Sequence, residues 1–204
     1  MGNGITQVAA CAGYTVTMID IEQAYVDRGI ASIEKSLAKL VSKDRMSQED
    51  ADAARARIST AIDRTACADC DLVVEAVPEI LELKQSIFSE LDSICKPETI
   101  LASNTSSISI STIAEATSRP DRVIGMHFMN PVPIMKLVEI INGKDTSPET
   151  NAAVIEASAT MGKTALSCND APGFVSIEFS AQCSTKQSSP CKRALLNLKP
   201  LTAS

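Results

Sequence analysis

Histidine is almost missing from this chain, with one residue in 204. Imidazole chemistry near neutral pH must therefore run through His127 or not at all. Paired metal ligands are also scarce. Cys67 and Cys70 form one C-x-x-C, but no second pair follows at zinc-site spacing, so no metal is expected. There is no basic cluster, and the formal net charge is −6, which argues against a nucleic-acid surface. No run of about 18 apolar residues occurs, so neither a transmembrane helix nor a membrane partner is expected. The opening MGNGITQVAACAGYTV lacks the basic region and long apolar core of a signal peptide. Seven cysteines in such a chain read as free thiols in a reducing compartment, which places the protein in the cytoplasm.

What remains is an apolar-rich chain, 45% hydrophobic, of about one-domain length. Helix and strand signals alternate along it. Residues 3–12 read as a helix stopped by Gly13. TVTMID (15–20) reads as a strand. Residues 22–42 form an amphipathic helix with Ile30, Ile33, Leu37, Leu40 and Val41 at helical spacing. Ser47 with Asp50 resembles a capping box. ISTAID is a strand candidate, and DLVVEAVPE (71–79) is the continuous apolar run of a strand covered on both faces. A helix over 80–95 follows. TILAS, RVIGMHF and KLVEII are further strands, with a helix near 109–118 between the first two. Ser147-Pro148-Glu149 opens a helix that runs to Gly162, and TALSC is a last strand. This alternation predicts a parallel α/β sheet with helices on both faces. From Ile177 the chain loses its apolar period, and a disordered tail is predicted there.

Polar residues gather after successive strands. Gly2 and Gly4 start the first helix and Asp20 ends the next strand, as in a site where a helix N-terminus meets a pyrophosphate and an acid meets the ribose. An acid there favours NAD over NADP. The complete G-x-G-x-x-G is absent, and two helix-start glycines with a strand-end acid remain an equal alternative. Glu79 and Lys84 follow the 71–77 run, Asn104 and Ser106 follow TILAS, and Asn130 follows the strand of His127. Caps and loop residues would explain any one of these; together they fit a single crevice at the carboxyl edge. His127 itself lies one strand before Glu139. A carboxylate on its far nitrogen would fix the tautomer of a general base, whereas a satisfied structural histidine and an exposed Glu are the plain alternative.

GMHFMNPVPIMKLVEII, LASNTSSISI, DLVVEAVPE and NDAPGFV together resemble the 3-hydroxyacyl-CoA dehydrogenases, most closely the bacterial 3-hydroxybutyryl-CoA type, over residues 1–176. The resemblance implies NAD-dependent oxidation of an (S)-3-hydroxyacyl-CoA, 3-hydroxybutyryl-CoA above all, to the 3-oxoacyl-CoA in fatty acid and butanoate metabolism. It implies a Rossmann-like, doubly wound, mostly parallel sheet. It gives His127 as base, Glu139 as its partner and Ser106 as a hydrogen bond to the substrate oxygen. Asp20 would hold the ribose, with Gly2, Glu79, Lys84, Asn104, Ser106 and Asn130 along the cofactor. Ser36 and Lys43 would meet the CoA moiety. A related dehydrogenase of a non-CoA hydroxyacid is a weaker alternative.

Two departures stand against the family pattern. Met1-Gly2 matches the end of the glycine loop, so the first strand, central in the usual order 3-2-1-4-5-6, is expected to be missing. Its neighbours are expected to lack a ladder. At the other end, Ile177 stands where the resemblance implies Asn, and the helical substrate domain with its homodimer interface is expected to be absent. The expected division is therefore 1–168 as the truncated NAD domain, 169–176 as the start of the substrate domain, and 177–204 as a foreign tail. Read one base out of frame, with wobble bases chosen freely, residues 177 onward can encode the amphipathic string NRVLSAMLNEAIFALQEGVAKPEAID. A frameshift is thus expected, and a late start at an internal Met is its counterpart at the front. Coding DNA incompatible with that string would end the idea. A catalytically inactive NAD- or acyl-CoA-binding fragment is the alternative reading of the chain as it stands.

Overall fold

The structure, a computed structural model, describes residues 1–170 and the backbone of Leu195–Lys199. The strands in chain order are β1 (Thr15–Ile19), β2 (Ile58–Ala61), β3 (Leu72–Glu75), β4 (Ile100–Ser103), β5 (Val123–Phe128), β6 (Leu137–Asn142), β7 (Thr164–Asn169) and β8 (Leu195–Lys199). They form one sheet in the order β2-β1-β8-β3-β4-β5-β6-β7. The helices are α1 (Gly2–Cys11), α2 (Gln23–Val41), α3 (Gln48–Ala56), α4 (Leu81–Ile94), α5 (Ile110–Ala114) and α6 (Pro148–Thr160).

Period-two alternation divides the strands between two cores, one on each face of the sheet. Leu72 and Val74 of β3, with Ile124, Met126 and Phe128 of β5, meet Ile5, Val26, Ile33, Leu37 and Val154 from α1, α2 and α6. Val73, Leu101, Val123 and Ile141 meet Phe88, Leu91, Ile110 and Ile113 from α4 and α5. This is the doubly wound architecture that the alternation predicts. Cys67, Cys70 and Cys95 are buried in the second core.

Capping follows the sequence signals. The Ser47 hydroxyl accepts from the Asp50 amide at 3.0 Å, and Ser147 accepts from the Thr150 amide at 3.1 Å with Pro148 behind it. Gly13, at φ +98°, takes the left-handed turn that ends α1.

Several expectations change. The helix near 109–118 is only Ile110–Ala114, because the Thr117 hydroxyl takes the Ala114 carbonyl at 2.9 Å and Pro120 starts a 3-10 turn. β6 pairs with β5 antiparallel, since residues 129–136 are fewer than the dozen or so a parallel crossover needs. The largest change is in the middle of the sheet. β1 and β3 do not lack a ladder: β8 lies between them, antiparallel to both. The predicted disorder therefore does not hold for Leu195–Lys199, and the rest of the tail lies outside the described residues. Among the described residues no helix is long and apolar enough to cross a membrane.

Gly125 shows how tightly the second core closes on β5. A Cβ there would meet the Ile141 Cβ at 2.8 Å and the Ile110 Cδ1 at 3.0 Å. Gly125→Ala is expected to destabilise the domain by about 1–3 kcal/mol through overpacking, read as a lower urea midpoint at unchanged m-value.

Candidate active site

His127 and Glu139 face each other directly across the β5–β6 ladder. Residues opposite in an antiparallel pair share a face, and here the His127 Nδ1 meets the Glu139 Oε2 at 2.8 Å. The Glu139 side chain is fully buried and that of His127 keeps 14% exposure. A neutral imidazole facing a carboxylate, which only accepts, would carry its hydrogen on Nδ1 and leave Nε2 to accept. The antiparallel turn-back after β5 thus produces the pair that the sequence suggested. Asn130 is exposed two residues beyond β5, joined to Pro131 by a cis peptide bond.

The neighbouring strand ends are stitched to this one. Asn104, just past β4, accepts from the Phe128 amide through its Oδ1 at 2.8 Å, while its own amide donates to the Glu75 carbonyl at 2.7 Å. One residue therefore ties β3, β4 and β5 at the carboxyl edge. Glu79 lies over the next loop. Its Oε1 accepts from the Thr105 hydroxyl at 2.5 Å, the Ser106 amide at 2.8 Å and the Ser107 amide at 3.0 Å. Ser106 Oγ, exposed, lies 3.3 Å from the same oxygen. Burial alone would raise the Glu79 carboxyl. The Thr105 hydroxyl, the Lys84 ammonium, the Ser106 amide and the Ser107 hydroxyl outweigh it and hold the group below its ordinary value.

Lys84 does not line the crevice. Its side chain is 1% exposed, with Nζ 2.8 and 3.0 Å from the two oxygens of Glu75 and 3.4 Å from Glu79. Through Glu79 it is linked to the loop of Ser106. Glu75 is the residue that the sequence reading missed. Fully buried at the end of β3, it also accepts from the Ser103 hydroxyl at 2.7 Å and the Val77 amide at 2.6 Å. The signal was present: a single acid inside the apolar run LVVEAV must find a cation.

Asp170 is a second such residue. Its carboxylate caps α5, accepting from the Ser109 and Ser111 hydroxyls at 2.7 Å each, the Ser111 amide at 2.9 Å and the Ile110 amide at 3.1 Å. Burial opposes its charge, but the Ser111 amide, the two hydroxyls and the Ile110 amide together hold it below its ordinary value. A carboxyl lowered on folding stabilises above its unfolded pKa, near 4, and loses that contribution as pH falls through the lowered value. Amide exchange over residues 105–111 is therefore expected to accelerate below about pH 4. Glu79→Gln and Asp170→Asn should each flatten that dependence. An unchanged acid limb in both variants would refute it.

At the other end of the carboxyl edge, Asp20 follows β1, mostly buried, with its Oδ1 accepting from the Ile21 amide at 2.8 Å. It lines a cavity of about 280 Å³ with Ile19, Ile62, Arg64, Val77 and Ile87. α1 begins at this edge with no side-chain cap and no acid in its first turn, and Gly2 is buried there. Gly4 serves packing: a Cβ would come within 2.9 Å of the Val132 Cβ, so its bareness lets α1 touch the segment after His127. Ser36 is half-buried on α2, and Lys43 is exposed beyond it, both away from the pairs above in sequence and element.

The family described as "3-hydroxyacyl-CoA dehydrogenase, NAD binding domain" matches residues 1–171. A probable 3-hydroxybutyryl-CoA dehydrogenase of Deinococcus radiodurans is 52% identical over 176 residues, covering 86% of this chain and 63% of its own length. The 3-hydroxybutyryl-CoA dehydrogenase of Bradyrhizobium diazoefficiens is 47% identical, with 86% and 60% covered. Among solved structures, the (S)-3-hydroxybutyryl-CoA dehydrogenase of Ralstonia eutropha superposes with a TM-score of 0.84 at 45% identity, over 86% of this chain and 62% of that one. The chain thus spans about three-fifths of the length of these relatives. It belongs to the 3-hydroxyacyl-CoA dehydrogenase family, within which it matches the NAD-binding domain.

Proposed function

We propose that this chain carries the cofactor half of an NAD-dependent dehydrogenase that oxidises (S)-3-hydroxyacyl-CoA, 3-hydroxybutyryl-CoA above all, to the 3-oxoacyl-CoA in fatty acid and butanoate metabolism. The observation that carries the reading is the 2.8 Å His127–Glu139 pair, set at the same sheet edge as the Asp20 cavity. The residues fit NAD: Asp20 would hold the ribose hydroxyls, and the uncapped start of α1 at Gly2 would face the pyrophosphate. Glu79, Asn104 and Asn130 would lie toward the nicotinamide, and Ser36 with Lys43 toward CoA. When bound, NAD supplies the acceptor for the hydride that leaves the hydroxyl carbon.

His127 Nε2 takes the hydroxyl proton as the C–H bond gives up its electron pair and the C–O bond becomes a carbonyl. Glu139 stabilises the imidazolium formed and holds the ring's orientation. Ser106 Oγ donates to the substrate oxygen, while Glu79 fixes the loop that presents it. The division into residues 1–168, 169–176 and 177–204 is part of the same proposal, as is a cytoplasmic setting, which rests on the thiols.

A second reading is a chain that binds NAD or acyl-CoA without turnover. Incubation of the 204-residue protein with acetoacetyl-CoA and NADH distinguishes the two. Loss of NADH absorbance with formation of 3-hydroxybutyryl-CoA supports the first reading. NADH fluorescence enhancement without product supports the second. Neither signal would sink both.

A further inference from the structure

We propose that Glu90 sets the preference for NAD over NADP by holding Arg64 in an ion pair. Arg64 is the one cation that lines the Asp20 cavity among the described residues. The inference rests on the dinucleotide reading of that cavity.

Local structure brings the groups together. β1 and β2 run parallel with Ile19 opposite Ala61, so the chain leaves both strands at the same edge. Asp20 follows the first strand. Asp63 and Arg64 follow the second, where Asp63 caps a 3-10 turn, Arg64–Cys67, by accepting from the Thr65 amide at 2.8 Å. The capped turn fixes the backbone from which Arg64 extends. A further wall comes from α4. Leu83, Ile87 and Glu90 lie at the i, i+4, i+7 spacing of one helical stripe, and all three line the cavity. The stripe is apolar until Glu90, whose Oε2 meets Arg64 Nη1 at 2.5 Å.

The charges in this lining are unequal. Asp20, Asp63 and Glu90 bring three carboxylates against the single guanidinium of Arg64. Such a lining suits a ribose diol, which is neutral and donates to an acid. A 2′-phosphate adds about two negative charges and needs a cation. Arg64 has the chemistry for it, since a planar fork of N–H donors matches phosphate bidentately. Glu90 cancels that charge and engages one arm of the fork. Asp20 therefore repels the phosphate, while Glu90 denies it the cation that would offset the repulsion. The Arg64 and Glu90 side chains are 26% and 43% exposed, and ion pairs of that kind contribute little to folding. Glu90 can thus be exchanged without loss of the fold.

Fluorescence titration of the 204-residue chain with NADH and with NADPH tests it. The ratio of the NADPH Kd to the NADH Kd should fall by about tenfold or more in Glu90→Gln, which releases the guanidinium. It should return to the parent's value in the double variant Glu90→Gln with Arg64→Gln, where the lining again has the parent's net charge. Arg64→Gln alone should raise it. A Glu90→Gln ratio equal to the parent's, with NADH bound, would overturn the inference and leave the dinucleotide reading standing. A fall of the same size in the double variant would also overturn it, since the gain would not come from Arg64. Binding of neither nucleotide to any of the four proteins would sink both.

Discussion

Lys84→Met is expected to cost about 3–5 kcal/mol of folding stability, because it leaves Glu75 as a charged group without its cation in the core. The two side chains have 1% and 0% exposure, and Nζ contacts both Glu75 oxygens. A domain has only about 5–15 kcal/mol in total, so the variant should be partly unfolded at room temperature or melt far earlier. Two partners of Glu75 remain, the Ser103 hydroxyl and the Val77 amide, but neither carries charge. Adding Glu75→Gln to Lys84→Met should recover a large part of the loss, since the double variant buries no ion. Urea denaturation of the four proteins closes the cycle. A single Lys84→Met variant as stable as the parent would show that the pair is not what holds this end of β3.

Under the proposed function, His127→Ala is expected to lower turnover of acetoacetyl-CoA and NADH by about 10²–10⁴-fold, the range of a lost general acid–base group. The reduction direction uses the same proton on the same Nε2, in reverse. Binding of NADH should change little, because Asp20 and the start of α1 lie at other strand ends. Glu139→Gln is the sharper variant. The amide fills the same volume but can donate to Nδ1, which would move the ring hydrogen to Nε2 and remove the base. A loss comparable to that of His127→Ala at unchanged NADH affinity is expected. Undiminished turnover in either variant would remove His127 from the chemistry.

Local signals made much of the fold legible. Ser47, Ser147 and Gly13 mark helix ends because their partners lie within three residues or in their own backbone angles. The continuous run 71–77 announced a strand covered on both faces, and β3 is buried at every position. His127 and Glu139 were readable because β5 and β6 are consecutive and pair directly. Long-range partners were harder to read. Lys84 looked like a crevice residue from its place after a strand, whereas the helical turn it occupies points it inward to Glu75. Asp170 lies 59 to 61 residues from the groups it caps. β8 was invisible for another reason: LLNLK has weak periodicity and follows a polar stretch, and only an open ladder elsewhere in the sheet gives it a place.

The loop that carries Ser106 is clamped at both ends by carboxylates, Glu79 at residues 105–107 and Asp170 at residues 109–111. Asp170 is also the residue at which the chain leaves β7, where its amide donates to the Asn142 carbonyl at 3.0 Å. A pull on the chain beyond residue 170 therefore acts first on the helix that ends this loop. The Asp170 cap is a lever between the chain that follows it and the serine hydroxyl at the crevice, and its stiffness is set by four hydrogen bonds to one carboxylate.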